Sequence, residues 1–221
     1  MSNGSPRIAE RKCYSVITAD VVDSRKVESF RLKRDRKLAQ LSRLHLEQKL
    51  ILSPYAITAW DEFQVILSKP EYTPRVILDL RRLFYPLQLW IAVGMGAASG
   101  AHKRPVNIHA GGEAFERARQ AADRLKSGSS KYRVLTSFES GKEIFDTIAN
   151  TIYRLQDSLL ERATEKQWAA INMQLKTGRQ EVTARRLKLD ISTVSRNLKR
   201  GYYWHLVETV DAMERIVKTY F

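Results

Sequence analysis

The sequence contains one cysteine, Cys13, and no apolar run that approaches the roughly 20 residues needed to span a bilayer. A single cysteine excludes an intrachain disulfide and a cysteine-rich zinc cluster, so any metal must be held by oxygen or histidine ligands. The first residues, MSNGSPRIAERK, lack the apolar core of a signal peptide. These absences predict a cytoplasmic protein without a membrane partner.

Acidic residues are scarce relative to basic ones. The 221 residues include 38 Lys and Arg against 24 Asp and Glu, which gives a formal net charge of +14 and an isoelectric point near 10.0. The hydrophobic fraction of 43% is that of an ordinary globular protein. An excess of positive charge in such a protein indicates a polyanionic partner, and nucleic acid is the first candidate.

Hydrophobic periodicity divides the first part of the chain into alternating strands and helices. CYSVITADVV predicts a buried strand that ends at Asp20, and SFRLKRDRKLAQLSRLHLEQKL predicts an amphipathic helix. AITAW and FQVILS flank Asp61 and Glu62 and predict a hairpin that turns at Asp61. The order is completed by the helix TPRVILDLRRLFYPL, the strand LQLWIAVGMG, the helix EAFERARQAADRLKSG and the strand YRVLTSFES.

This order predicts an α+β protein with the split βαβ, ferredoxin-like arrangement, in which helices pack on one face of an antiparallel sheet. The first strand and the hairpin are then neighbours, so Asp20 and Asp61 share one sheet edge. Close carboxylates repel, and a shared proton, a basic partner or a divalent cation relieves the repulsion. Two interpretations stay open: a Mg²⁺-triphosphate site, or a turn in which Glu62 is solvated and Asp20 pairs with Arg25 or acts as a cap.

Four segments carry a family resemblance: VITADVVDSR, AWDEFQVIL, LWIAVGMG and GGEAFERARQAADRLK. Together they resemble the SatD family, whose first part is related to the class III nucleotidyl cyclase, GGDEF and polymerase-palm group. The resemblance implies a cyclase/palm-like domain. It also implies that the carboxylates of Asp20 and Asp61 and the backbone carbonyl of Val21 bind Mg²⁺ or Mn²⁺.

The same resemblance implies a nucleotide ligand beside the metal. The candidate nucleotide contacts are Trp60, Glu62, Lys103, Arg104 and Arg119. The sequence departs from the family pattern at several positions. Ala19, Asp23 and Trp60 stand where the pattern has glycines, and Glu116 and Gln120 stand where class III cyclases carry an Asn and an Arg. Trp60 can either stack on a base or fill the pocket, and the changes on the helix predict inefficient cyclisation.

The segment QEVTARRLKLDISTVSRNLKRGYY has the pattern of a helix-turn-helix. Ala184 is the small residue at the helix contact, Lys188 occupies the turn position where Gly is common, and Ser192 is the predicted N-cap of the second helix. The predicted apolar frame is Val182, Leu187, Leu189, Ile191, Val194 and Leu198. The segment resembles the helix-turn-helix of bacterial transcription regulators, with ISTVSRNLKR as the recognition helix.

Basic residues surround this segment. Between Lys176 and Arg200, eight basic residues against two acidic ones give a net charge of +6, the electrostatic footprint of a protein that binds a phosphate backbone. The predicted contacts to double-stranded DNA are Arg185, Arg186 and Lys188 at phosphates, Thr193, Ser195, Arg196 and Lys199 at base edges, and Ser192 and Arg200 at the two ends of the recognition helix.

The predicted organisation is a disordered start (1–12), a cyclase/palm-like domain (13–140), a connecting helix (141–163) and a helix-turn-helix domain with a terminal helix (164–221). The connecting helix is predicted to have one apolar face, formed by Ile144, Ile148, Ile152, Leu155 and Leu159. On the terminal helix, the apolar stripe either joins a homodimer or belongs to the core; it consists of Leu206, Val210, Met213 and Val217.

Two functions agree with this organisation. One is a DNA-binding transcriptional regulator whose N-terminal domain senses a nucleotide. The other is a metal-dependent nucleotidyl cyclase or nucleotidyltransferase, with the helix-turn-helix as a targeting module. A product formed from a nucleoside triphosphate and Mg²⁺ or Mn²⁺ would separate them.

Overall fold

The structure is a computed structural model that describes residues 12–26, 30–100, 111–128 and 133–221. The strands are β1 (Tyr14–Val21), β2 (Ala56–Ile57), β3 (Glu62–Ile66), β4 (Leu89–Gly96) and β5 (Thr136–Glu139). The α-helices are α1 (Phe30–Glu47), α2 (Thr73–Phe84), α3 (Glu113–Lys126), α4 (Glu143–Leu160), α5 (Glu165–Thr177), α6 (Gln180–Leu187), α7 (Ile191–Arg200) and α8 (Tyr203–Tyr220). The protein is therefore of mixed α/β class. None of the described helices is long and apolar enough to cross a membrane. The predicted disordered start lies outside the described residues, apart from Lys12.

The five strands form one sheet in the order β2-β3-β1-β4-β5. The central strand β1 runs antiparallel to β3 and to β4, whereas β5 runs parallel to β4 at the sheet edge. The register places Asp20 opposite Glu62 of β3 and opposite Trp90 of β4. The predicted pairing of the first strand with the hairpin is confirmed, but the sheet is mixed rather than antiparallel.

Helices cover both faces of the sheet, because successive side chains of a strand point to opposite faces. Ile17 and Ala19 of β1 belong to the main core, which includes residues of α1, α2, α4 and α8, whereas Val16 packs with Ala118 of α3. A Cβ atom on Gly94 would lie 2.2 Å from the backbone nitrogen of Ala118, so the glycine lets α3 lie directly on β4. The expectation that all helices share one face is wrong for α3, since the parallel connection from β4 to β5 carries this helix across the opposite face.

The edge strand β5 obtains hydrogen-bond partners from α4. Asn150 accepts a hydrogen bond from the Phe138 N–H at 2.7 Å and donates one to the Phe138 carbonyl at 3.0 Å. Asp157 accepts a hydrogen bond from the Leu135 N–H at 3.2 Å. Since buried backbone groups at a sheet edge need partners, α4 must turn this polar stripe toward β5.

The same orientation decides which apolar residues of α4 are buried. Phe145, Ala149 and Tyr153 are buried, whereas Ile144 is 68% exposed and Leu155 is 61% exposed. The predicted apolar face of this helix is therefore only partly covered by the rest of the chain. The stripe of Ile144, Ile148, Ile152, Leu155 and Leu159 lies beside the buried face, because the polar contacts with β5 fix the rotation of the helix.

The C-terminal helices enclose a second core around Trp168, which is 4% exposed. α8 joins the two cores, since its first half packs in the second core and its second half packs in the main core. All four residues of its apolar stripe are buried within the chain: Leu206, Val210, Met213 and Val217. The prediction that this stripe makes dimer contacts is wrong, and the alternative that it belongs to the core is confirmed.

A buried series of polar contacts also connects α1 and α2 to the C-terminal helices. His45 Nδ1 lies 3.0 Å from the Tyr55 hydroxyl, and His45 Nε2 lies 3.4 Å from Asp79 Oδ2. Arg82 donates to Asp79 Oδ1 at 2.7 Å and to Asn172 Oδ1 of α5 at 3.2 Å. The chain of contacts therefore runs from α1 through α2 to α5.

Candidate carboxylate site and basic helical surface

One charged cluster lies where β1 ends, on the face of the sheet that α3 covers. Lys126, the last residue of α3, places its Nζ 2.7 Å from Asp20 Oδ2 and 3.4 Å from Glu62 Oε2. The Asp20 side chain is 11% exposed and the Lys126 side chain is 39% exposed. Because Asp20 and Glu62 are opposite each other in the register, one ammonium group bridges two strands. The ion-pair partner of Asp20 is thus Lys126, where one interpretation of the sequence expected Arg25.

Asp61 lies in the hairpin turn directly before β3. It accepts a hydrogen bond from Ser24 Oγ at 2.5 Å, which joins the turn after β1 to the turn before β3. Glu62 accepts a further hydrogen bond from Thr58 Oγ1 at 2.8 Å. Val21 follows Asp20 at the end of β1. The structure therefore brings the three predicted metal ligands and Glu62 to one end of the sheet.

The cluster has more negative than positive charge. Burial raises the pKa of Asp20 from its ordinary value, the hydrogen bond and charge of Lys126 oppose this rise, and the charges of Asp61 and Glu62 add to it. Burial would lower the pKa of Lys126, but its contacts with Asp20 and Glu62 raise it. Asp20 Oδ1 is buried and has no hydrogen-bond partner among the described residues. The formal charges of the three carboxylates and the one ammonium sum to −2.

Trp60 packs with α1 in the structure. It is 48% exposed, and the Arg31 guanidinium lies 4.2 Å from the centroid of its ring. The buried Arg34 donates a hydrogen bond to the Trp60 carbonyl and pairs with Asp35 at 2.7 Å. α1 covers one face of the sheet, whereas Lys126 reaches Asp20 from α3 on the opposite face.

The predicted nucleotide contacts are only partly placed by the structure. Arg119 is exposed on α3, and Lys103 and Arg104 lie outside the described residues. Lys126 was not among the predicted site residues, although it ends the segment GGEAFERARQAADRLK. Its signal in the sequence is the spacing of seven residues from Arg119, because residues two helical turns apart lie on the same side of a helix.

The donor set at this end of the sheet fits a divalent cation. Mg²⁺ and Mn²⁺ prefer oxygen ligands, which the carboxylates of Asp20 and Asp61 and the carbonyl of Val21 can supply. The buried Asp20 Oδ1 without a partner and the excess negative charge agree with such an ion. No group of three or more His, Cys, Asp and Glu side chains that could hold a metal is present within the described ranges, so further ligands would have to be backbone, water or phosphate oxygens.

The second charged region is formed by α6 and α7. Lys188 ends α6 with φ 54° and ψ 47°, the left-handed conformation that favours glycine. The Leu189 N–H donates to the Ala184 carbonyl at 3.0 Å, which is the longer hydrogen bond of a Schellman C-cap. The backbone conformation at Lys188 thus explains why Gly is common at this turn position.

The inner side of α7 is anchored in the second core. Val194 and Leu198 are each 0% exposed and lie in one cluster with Ala184 of α6. The predicted apolar frame is wrong at Leu189 and Ile191, which are 41% and 50% exposed.

The start of α7 also differs from the prediction. The helix begins at Ile191, and the residue in the N-cap position is Asp190 with an extended backbone. Ser192, the predicted N-cap, therefore lies within the first turn and is exposed. The turn is therefore shorter than the sequence pattern indicated, since it runs only from Lys188 to Asp190.

The outer side of α7 is polar and basic. Arg196 Nη2 donates to Thr193 Oγ1 at 3.2 Å, so the two predicted base-contacting side chains lie side by side. Thr193 and Ser195 are half-buried. The other predicted DNA contacts are all exposed: Arg185, Arg186, Lys188, Ser192, Arg196, Lys199 and Arg200. From residue 176 to 200, the ion pair found among the described residues joins Arg179 to Glu181 at 3.7 Å.

The molecule is thus an α/β protein that carries a carboxylate cluster at the end of its sheet and a basic surface on its C-terminal helices. The model of the SatD family matches residues 14–204, and the chain belongs to the SatD family. No curated protein matches the chain. A solved structure described as a regulator of polyketide synthase expression from Bifidobacterium adolescentis is similar to it, with 15% sequence identity, a TM-score of 0.30, and coverage of 94% of this chain and 83% of that one.

Proposed function

We propose that the protein is a DNA-binding transcriptional regulator in which α6 and α7 form a helix-turn-helix and α7 is the recognition helix. The observation that carries the proposal is the division of α7 into a buried and a basic side. Val194 and Leu198 fix the helix to the protein, so Arg196 and Lys199 are presented outward by a supported helix. A helix of this kind can enter the major groove of DNA and read base edges.

The basic residues divide into two roles. Arg185, Arg186 and Lys188 are exposed at the end of α6 and in the turn, where long cationic side chains meet phosphates and position the helix. Thr193, Ser195, Arg196 and Lys199 lie on α7 and contact base edges. Since few acidic side chains neutralise this surface, its affinity for DNA should fall strongly as salt concentration rises.

A binding experiment tests the proposal. Fragments from upstream of the gene are titrated with purified protein at near-physiological salt, in the presence of bulk competitor DNA. We expect at least one fragment to bind more tightly than the competitor. If none does, α7 is an ordinary exposed helix and the regulator function is wrong.

For the N-terminal part, we propose a ferredoxin-like arrangement related to the cyclase and palm group. The strand order β2-β3-β1-β4, with helices α1 and α2 as the two crossovers, supports this proposal. The site would hold Mg²⁺ or Mn²⁺ through Asp20, Asp61 and the Val21 carbonyl, and the ion would supply positive charge for the phosphate oxygens of a nucleotide. The partnerless Asp20 Oδ1 supports an ion at this position.

The second candidate function is a metal-dependent nucleotidyl cyclase or transferase that the helix-turn-helix would locate on DNA. Glu116 and Gln120 are exposed on α3 and cannot replace the Asn and Arg of class III cyclases in charge or hydrogen-bond pattern. We therefore favour sensing over turnover. Incubation with each nucleoside triphosphate and Mg²⁺ or Mn²⁺ is the test, and robust product formation that Asp61→Ala abolishes would establish the enzyme instead.

A further inference from the structure

The apolar stripe on α4 is not covered by the chain. Among the large apolar side chains of the described residues, Leu32 of α1 is 76% exposed, and the next two, Ile144 and Leu155, both belong to this stripe. Ile148 and Ile152 lie between them along the helix, Leu159 follows one turn after Leu155, and all three are half-buried. A continuous apolar surface of this kind on a soluble helix indicates an interaction site.

A groove of about 180 Å³ continues the stripe between α4 and the start of α8. Its apolar walls include Leu155 and Leu159 of α4 and Leu206 of α8, and Tyr202 and His205 close one side. Tyr202 follows α7 by two residues, so the groove lies next to the end of the proposed recognition helix. The stripe and the groove together can receive an apolar helix face.

We propose that a second copy of this chain docks here, with the two α4 helices antiparallel across a twofold axis. The stripe is nearly symmetric about a point between Thr151 and Ile152. In an antiparallel pair centred there, Ile144 meets Leu159 of the second copy and Ile148 meets Leu155, so four of the five apolar positions meet an apolar partner and Ile152 lies beside the twofold axis. A twofold interface requires this kind of self-complementarity.

The charges at the two ends of α4 agree with the antiparallel pairing. Glu143 is the first residue of the helix, and Arg162 lies two residues beyond its last turn; both are exposed. The antiparallel arrangement brings Glu143 of each copy to Arg162 of the other. It also opposes the two helix dipoles, whereas a parallel arrangement would bring like charges together.

This inference rests on the proposed function, because helix-turn-helix proteins bind paired half-sites in DNA as dimers. The α8 stripe cannot serve, since its residues are buried within the chain. The location of the groove beside the end of α7 places the twofold axis close to the DNA-reading helix.

The first experiment is the measurement of mass in solution for the full chain, by sedimentation equilibrium. We expect a dimer for the wild type and a rise of roughly tenfold or more in the dimer dissociation constant for Leu155→Asp, because a charge would be buried at the centre of the interface. Leu32→Asp is the matched control, since it places the same charge at an exposed leucine on another helix. Both variants should keep the wild-type circular dichroism spectrum, and at a dilution where the wild type is also monomeric all three proteins should have the same melting temperature, which excludes misfolding as the cause.

A charge exchange tests the direction of the two helices. Glu143→Arg and Arg162→Glu should each weaken the dimer by about twofold to fivefold, the size expected for an exposed ion pair. The double variant should recover the wild-type dissociation constant. Failure of the double variant to recover would overturn the antiparallel arrangement.

DNA binding separates the failure of this interface from the failure of the proposed function. If the wild-type chain stays monomeric at its highest soluble concentration, and also on DNA, the proposed interface is wrong. The α4 stripe would then be a binding site for a different protein. A dimer that Leu155→Asp dissociates, but that binds no DNA fragment specifically, supports the interface while the regulator function fails.

Discussion

The two charged regions of the molecule differ in whether their charged side chains are paired within the chain or exposed to solvent. At the end of the sheet, Asp20 and Glu62 share the ammonium of Lys126, and Asp61 is bonded to Ser24. Along α6 and α7 the basic side chains extend into solvent, with one described ion pair at the start of the segment. In the first region each carboxylate has an ion-pair or hydrogen-bond partner within the chain, although a net negative charge remains. The second region presents its charge to solvent and so to a partner.

Burial explains the difference. An ionised group that is removed from water must be paired or hydrogen-bonded, because its desolvation costs several kcal/mol. Asp20 is buried and therefore needs Lys126, and the one oxygen that remains without a partner marks the place where a cation could still bind. The exposed arginines of α6 and α7 carry no such penalty, so their unbalanced charge is available for association.

The largest effect should come from removing the support of the basic surface. Leu198 is 0% exposed in the second core, so Leu198→Ala should lower the free energy of unfolding by about 2 to 5 kcal/mol through lost burial and a cavity. Leu189→Ala, at a residue that is 41% exposed, is the control and should change it by less than about 0.5 kcal/mol. Urea unfolding measures both. Equal losses in the two variants would mean that α7 is not anchored through its inner side.

The next effect sharpens the division of roles within the basic surface. Arg196→Ala should cost about 1 to 3 kcal/mol of binding free energy and relax the preference at one base pair. Arg186→Ala should weaken binding to all sequences. It should also reduce the magnitude of the slope of log affinity against log salt concentration by about one. Titrations of the best fragment and of its single-base variants, at several salt concentrations, distinguish the two. Uniform weakening by Arg196→Ala would place this side chain on a phosphate instead.

The end of the sheet could be predicted well from the sequence, because pairing of β1 with the hairpin follows from the order of the elements. Asp20 and Asp61 arrive at one end for this reason. Lys126 could not be assigned, since its contact with Asp20 depends on α3 lying across the face of the sheet opposite to α1. That placement depends on Gly94 and on the parallel strand β5.

The rotation of α4 shows a second limit. Apolar spacing predicts that a helix has an apolar stripe, but it does not predict what the stripe faces. On α4 the polar residues that complete the edge of β5 face the sheet, and the apolar stripe is turned partly toward solvent. Asn150 and Asp157 make hydrogen bonds that no apolar residue could make. On α7, where no sheet edge competes, Val194 and Leu198 were predicted correctly, whereas Ile191 at the start of the helix is exposed.

A smaller effect tests the internal balance of the carboxylate cluster. Lys126→Met removes the cation that opposes the raised pKa of Asp20. The expected loss is about 1 kcal/mol at neutral pH, since the lysine side chain is 39% exposed and solvent screens the pair. An Asp with a raised folded-state pKa destabilises the fold above that pKa, and this cost disappears as the pH falls through it. The difference between Lys126→Met and the wild type should therefore narrow on acidification.

Two matched variants control this experiment on Lys126. Lys126→Arg keeps the cation and should retain most of the stability, while Asp20→Asn in the Lys126→Met background should restore it by removing the unpaired charge. Thermal unfolding of the three variants between neutral and acidic pH is the measurement. A pH-independent loss in Lys126→Met would contradict this account, because a loss that arises from the unpaired charge of Asp20 must shrink as that carboxylate becomes protonated.

The smallest effect distinguishes the contribution of backbone strain from that of charge at Lys188, in the turn between α6 and α7. Lys188 holds φ 54°, a conformation that costs a residue with a Cβ atom about 1 to 2 kcal/mol, and a glycine would avoid this cost but lose about 0.5 to 1 kcal/mol of chain entropy. Lys188→Gly should thus stabilise the fold by about 0.5 kcal/mol, whereas Lys188→Ala keeps the strain and should leave stability unchanged. Both variants lose one positive charge, so both should lower the salt slope of DNA binding by about one. If Lys188→Gly and Lys188→Ala stabilise the fold equally, then Lys188 destabilises it through charge repulsion with Arg185 and Arg186 and not through backbone strain.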